Sequence, residues 1–129
     1  MRGPGPLPSS GVAPTLLIVD DHDGFRAFAR ALLSADGFDV VGEAADGAAA
    51  VLAAAALDPE IMLVDIALPD FDGFEVCARV RGPDRGGPTV ILTSSRGIEM
   101  YRHRLVTSSA RAFIPKDELS ADALRALTR

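Results

Sequence analysis

The chain has 129 residues, 48% of them apolar and 24% charged, with a net charge of −5 and a single cysteine. That length suits one domain around one core, the balance excludes wholesale disorder, and no apolar run reaches the roughly 18 residues a membrane-spanning helix needs. The acidic balance leaves no clustered basic face for direct nucleic-acid binding, one cysteine cannot form an internal disulfide, and no basic-then-apolar start reads as a secretory signal, so no membrane contact and a cytoplasmic location are expected.

Residues 1–14 are rich in Gly, Pro and Ser and are expected to be a flexible leader to a domain spanning 15–129. From there, short apolar runs alternate with longer stretches of helical period, the pattern of an α/β fold with a parallel sheet covered by helices on both faces. A first strand is placed at 15–20, where Leu16, Leu17, Ile18 and Val19 form a continuous apolar run. A helix over 23–35 follows, carrying Phe25, Phe28, Ala29, Leu32 and Leu33 at helical spacing. Next come a strand at 39–44 and an Ala-rich helix over 47–57 that Asp46 is placed to cap. A strand at 60–65 and a helix over 73–81 are read next, the latter holding Cys77 as an inert core thiol. Gly82-Pro83 and Gly86-Gly87-Pro88 mark a loop before a strand at 89–93, with Val90, Ile91 and Leu92 at its centre. Residues 96–108 are read as a fourth helix, 112–115 as a fifth strand and 120–128 as a fifth helix.

In open parallel sheets, ligands bind beyond the carboxyl ends of the strands, so functional side chains should stand where each apolar run stops. Strand one stops at Asp20-Asp21, strand three at Asp65, strand four at Thr93-Ser94-Ser95 and strand five at Lys116. Three carboxylates brought together raise one another's pKa and repel unless a cation separates them. Mg²⁺ takes oxygen ligands, keeps several waters and uses one or two carboxylates plus phosphate oxygens, which suits an open acidic cluster. Taken alone, Asp20-Asp21 is equally a helix cap; convergence with Asp65 favours the metal. Lys116 is the only lysine in a chain that otherwise uses arginine. A compact ammonium on a flexible stem can pair with a carboxylate and then follow a phosphoryl group attached to it. The Thr93 hydroxyl and nearby backbone N–H groups would donate to the remaining phosphoryl oxygens.

Asp20-Asp21, Asp65 followed by Leu68-Pro69 and Asp72-Gly73, Thr93-Ser94, and Lys116 together resemble the motif set of response-regulator receiver domains, over nearly everything but the leader. Ile18-Val19-Asp20-Asp21-His22 with Phe25-Arg26, then Val40-Val41-Gly42-Glu43-Ala44 and Asp46-Gly47, is similar to receivers of the NarL/FixJ type. The resemblance implies a five-stranded parallel sheet of order 2-1-3-4-5. It implies that Asp65 accepts a phosphoryl group from a sensor histidine kinase or a small phosphodonor. It further implies that Mg²⁺ (or Mn²⁺) is held by Asp21, Asp65 and the backbone carbonyl of Ala67, with Asp20 acting directly or through water. Thr93, Ser94 and Lys116 would bind the phosphoryl group, and Phe113 would move with Thr93 as a switch. The surface so switched would be helix four, strand five and helix five, also a face for homodimer formation. Receivers of this type usually precede a DNA-binding domain, which would lie outside this chain and control transcription; a stand-alone or phosphorylation-independent interaction module is the alternative.

Some positions depart from the common receiver pattern. Pro115 precedes Lys116 rather than following it, Ser109-Ala110 stands where Gly-Ala is usual, and residues 96–107 are unusually basic, with Arg102, His103 and Arg104. A haloacid-dehalogenase-type phosphatase would also join an aspartate nucleophile to Mg²⁺, a threonine and a lysine, but needs a second acid two residues after the nucleophile, where this chain has Ala67. A flavodoxin-like cofactor binder would need a phosphate-binding loop after strand one, where two carboxylates would repel phosphate.

Overall fold

Alternation along the strands assigns their side chains to two cores. Leu16 and Ile18 pack on one side of the sheet with Leu63, Ile91 and Ile114, while Leu17 and Val19 pack on the other with Met62, Val64, Val90 and Leu92. The computed structural model describes residues 13–81 and 86–129. The expected leader, all but its last two residues, and the Gly82-Pro83 loop marker lie outside the described residues.

The strands are β1 (Thr15–Val19), β2 (Asp39–Ala44), β3 (Ile61–Asp65), β4 (Thr89–Ser94) and β5 (Ala112–Pro115). They pair in parallel in the order β2-β1-β3-β4-β5, as expected. The helices are α1 (Asp23–Ala35), α2 (Gly47–Leu57), α3 (Gly73–Arg81), α4 (Arg102–Thr107) and α5 (Ala121–Thr128). Ala29 and Leu33 of α1 and Leu124 of α5 close the first core. Ala50 of α2, Val76 and Cys77 of α3, and Tyr101 close the second. Among the described residues no helix is long and apolar enough to cross a membrane.

Local chemistry sets the ends of the elements. Asp46 caps α2 by accepting from Ala49 N at 2.7 Å, and Ser120 caps α5 by accepting from Ala123 N at 3.0 Å. Asp70 adds a second carboxylate at the start of α2, accepting from Gly47 N and Ala48 N, where the helix dipole favours negative charge. At the end of α1, Gly37 takes φ +101°, which lets Phe38 turn back to donate to Leu33 O and bury its ring.

Residues 96–108 depart from expectation. Instead of one helix there is a single 3₁₀ turn at Ile98–Met100 and then the short α4. Ser94 Oγ accepts from Arg96 N, Gly97 is extended, and buried Tyr101 pins the junction of the two pieces. No residue of α4 is buried, so core packing does not demand a longer helix there.

Gly73 opens α3 directly against the end of β3. A Cβ at Gly73 would stand 2.7 Å from the Asp65 carbonyl oxygen and 3.0 Å from Ile66 Cα. Both are backbone atoms, which cannot give way cheaply, so glycine alone lets the helix start beside the last residue of β3. Gly73→Ala is expected to lower stability by about 1–3 kcal/mol and to disturb Asp65. Urea denaturation is the check, and an unchanged midpoint would contradict the close-approach account.

Candidate functional site at the carboxyl edge of the sheet

The ends of β1, β3, β4 and β5 deliver polar residues to one edge of the sheet. Asp20 follows β1 directly, Asp65 ends β3, Thr93 stands opposite Asp65 in the β3–β4 register, and Lys116 follows β5. Oxygens of Asp20, Asp21 and Asp65 lie within 4.8 Å of one another. Asp20 is 0% and Asp65 4% exposed, whereas Asp21 stands at the solvent side. Lys116 Nζ bridges the two buried carboxylates, 2.6 Å from Asp20 Oδ2 and 3.3 Å from Asp65 Oδ2. It also lies 4.5 Å from the centre of the Phe25 ring, which gives the ammonium an apolar floor. Backbone N–H groups hold the other oxygens: His22 N donates to Asp20 Oδ1 at 2.8 Å and Ala67 N to Asp65 Oδ1 at 3.2 Å. Asp21, His22, Phe25, Asp65, Ala67, Ser95 and Lys116 line an open cleft of about 410 Å³.

The charges here do not balance. Burial, and then the charge of Asp20, push the Asp65 carboxyl up to about 6, against the opposing pull of Lys116 and the Ala67 N–H. Burial draws Lys116 down, but its partners Asp20 and Asp65 outweigh that and hold it above the ordinary lysine range. Asp20 Oδ2 is close to the Lys116 ammonium, yet it is a buried oxygen without an aligned hydrogen-bond donor. An all-oxygen donor set and two buried like charges on a single ammonium fit a hard divalent cation at this edge.

Residues 16–129 match the response regulator receiver domain. The chain belongs to the response regulator receiver family. The receiver is 36% identical over 132 residues to the transcriptional regulatory protein TcrA of Mycobacterium tuberculosis, covering 99% of this chain and 51% of TcrA. It is 32% identical over 117 residues to the nitrate/nitrite response regulator protein NarL of Escherichia coli, covering 88% of this chain and 52% of NarL. It thus spans about half the length of these curated relatives. Among solved structures it resembles the signal receiver domain of NarL from Mycobacterium tuberculosis, with a TM-score of 0.82 at 30% identity, covering 90% of this chain and 96% of that one.

Within this receiver the residues singled out in the sequence divide into two sets. Asp20, Asp21, Asp65 and Lys116 meet as one cluster, with Ala67 at the cleft wall. Thr93 and Ser94 stand at the right strand end, but their hydroxyls are engaged elsewhere. Thr93 Oγ1 donates to Ile114 O at 2.6 Å, and Ser94 Oγ accepts from Arg96 N. Ser95, one residue further on, is the hydroxyl residue that lines the cleft. Phe113 is half-buried away from the cluster, its ring 6.4 Å from that of Tyr101.

Sequence reasoning assigned no site role to His22, Phe25, Ser95 or Arg26. Phe25 read as one more apolar residue of α1. The signal available was its place at the first turn after the strand-end carboxylates, where a helix side chain faces the ligand edge. Asp72 was likewise noted only as part of a motif. It caps α3 by accepting from Glu75 N at 3.0 Å and pairs with Arg104 Nη2 of α4 at 2.8 Å.

The raised pKa of Asp65 has a definite sign in stability. The folded state holds this proton more tightly than the unfolded chain, whose carboxyl titrates near 3.8, so ionisation at about 6 counts against the fold as pH rises through that window. In metal-free buffer at pH 7, Asp65→Asn is expected to be more stable than wild type by on the order of 1–3 kcal/mol. The gap should vanish by pH 4 and shrink when Mg²⁺ is added. Thermal unfolding across pH 4–7 measures this, and a less stable Asp65→Asn protein at pH 7 would contradict it.

Proposed function

We propose that residues 15–129 form a phosphoacceptor receiver in which Asp65 takes a phosphoryl group from the phosphohistidine of a sensor histidine kinase or from a small phosphodonor. The observation that carries this reading is Lys116 Nζ set between the buried carboxylates of Asp20 and Asp65 at the floor of an open cleft. One Asp65 carboxylate oxygen forms the new bond to phosphorus, the bond from phosphorus to the donor nitrogen breaks, and the imidazole keeps the electron pair and takes up a proton. Asp20, Asp21, Asp65 and the Ala67 backbone carbonyl would hold Mg²⁺ (or Mn²⁺), which when bound supplies positive charge to the transferring phosphoryl oxygens. Lys116 supplies a second positive charge and can stay with the group after transfer. The product remains attached to the chain, so this is a switch that promotes its own modification and not a turnover enzyme.

In this reading Thr93 and Ser94 complete the phosphoryl-binding end of β4. Thr93 would release Ile114 O to donate to the new group, because a buried hydroxyl makes one donated hydrogen bond at a time. Phe113 follows Ile114's neighbourhood on β5, so that exchange would pass to the surface made by α4, β5 and α5. Ile98, Met100 and Val106 are exposed apolar residues on or before α4, which suits a partner face or a homodimer there. Output would be control of transcription through a DNA-binding segment outside this chain, in the cytoplasm.

Intact mass after incubation with acetyl phosphate tests the chemistry. A gain of one phosphoryl group that requires Mg²⁺ is expected for wild type and none for Asp65→Asn, with Lys116→Ala labelled at least about tenfold more slowly. Equal labelling of Asp65→Asn would overturn the assignment. A folded wild type labelled by neither acetyl phosphate nor a kinase would favour an interaction module that works without phosphate.

A further inference from the structure

The acidic turn between β1 and α1 is held by a residue outside the cluster. Helix α1 begins at Asp23 with His22 as its N-cap, and no side chain caps it. The guanidinium of Arg26, one turn into the helix, reaches back instead. Its Nη1 donates to the backbone carbonyl of Asp20 at 2.6 Å, its Nε to Glu43 Oε1 at 3.0 Å, and its Nη2 to Asp23 Oδ1 at 2.5 Å. Arg26 is only 15% exposed, and Glu43 is fixed in turn by Arg30 Nε at 2.6 Å. Glu43 lies in β2 beside Ile18 of β1, and the next pair along, Val19 and Ala44, leads to the bond from Asp20 N to Ala44 O at 3.0 Å. Glu43, held below the ordinary carboxylate range by Arg30 and Arg26 against its partial burial, anchors the fork to the sheet.

We infer, resting on the reading that the acidic cluster takes a divalent cation, that Arg26 is the positioning residue for that site. It fixes the Asp20–Asp21 peptide so that both carboxylates stay gathered with that of Asp65. Asp20 is held at its N–H by Ala44 and at its carboxylate by His22 and Lys116. The Asp20 carbonyl is held by Arg26, and that carbonyl belongs to the peptide whose rotation carries Asp21. A single planar fork meets three acceptors in three directions, which a lysine ammonium on one stem cannot reproduce. Groups that orient metal ligands without touching the metal are worth roughly 10–100-fold in affinity.

The sign of the effect separates positioning from simple charge. Arg26 is a cation near a cation site, so if it acted only through charge, removing it would tighten metal binding. As a positioning residue its loss weakens binding. The experiment is Mn²⁺ titration followed by electron paramagnetic resonance on the full chain, with unfolding in EDTA run alongside. Arg26→Ala is expected to raise the Mn²⁺ dissociation constant about 10–100-fold. Arg26→Lys, which keeps the charge, should recover only part of the loss, and Glu43→Ala should weaken binding in the same direction by a smaller factor. If Arg26→Ala fails to fold, the Arg26→Lys and Glu43→Ala titrations decide. Mn²⁺ affinity unchanged or tighter in these variants, with or without lower stability in EDTA, would overturn the positioning role. Wild type that binds no Mn²⁺ would instead sink the metal reading beneath it.

Discussion

Asp20 and Asp65 are held almost without solvent on the same ammonium, with Lys116 Nζ 2.6 Å from one and 3.3 Å from the other. Two buried anions on one cation is an arrangement that favours either a proton on Asp65 or a further positive charge beside it. Most of the surrounding structure serves that arrangement. Parallel pairing brings the ends of β1, β3, β4 and β5 to one edge. Gly73 admits α3 against the Asp65 backbone, and the His22 and Ala67 N–H groups fix one oxygen of each carboxylate while the other oxygen meets Lys116 Nζ.

Thr93 and Asp72 link the cluster to the outer surface. Thr93 stands beside Asp65 in the sheet while its hydroxyl bonds the neighbouring strand at Ile114 O. On the other side of the site, Asp72 caps α3 and pairs with Arg104, whose guanidinium also lies 4.2 Å over the Phe74 ring. Helix α4 meets Asp72 and Phe74 through the Arg104 guanidinium and packs Leu105 partly buried against the second core, with no residue of its own fully buried. Such an element costs little to move, which suits a surface that answers a change of charge at Asp65.

Much of this was legible in the sequence because the relevant signals are periodic or punctual. Short continuous apolar runs such as Leu16 to Val19 and Val90 to Leu92, alternating with longer stretches of helical period, read as strands buried on both faces, and in a parallel sheet their polar terminators meet at one edge. Asp20, Asp21, Asp65 and Lys116 do meet at that edge. Side-chain direction was not legible in the same way. Thr93, Ser94 and Ser95 are adjacent hydroxyl residues at one strand end, and only the local turn decides that Ser94 bonds Arg96 N while Ser95 faces the cleft. Residues 96–108 form no single helix, contrary to the sequence expectation. Tertiary anchoring at Tyr101 and the turn at Gly97 split them. Arg26 read as an ordinary polar residue on α1, since nothing local announces that a guanidinium will fold back onto the carbonyl of Asp20.

The account depends on the Asp65 carboxyl being destabilised as an anion until a dication joins it. Carbon-detected NMR titration of that carboxyl, with and without Mg²⁺, measures this directly. The structure predicts a midpoint near 6 in metal-free solution and a midpoint well below the ordinary carboxylate value of about 3.9 once Mg²⁺ is bound. An ordinary midpoint that Mg²⁺ leaves unmoved would contradict the account at its foundation.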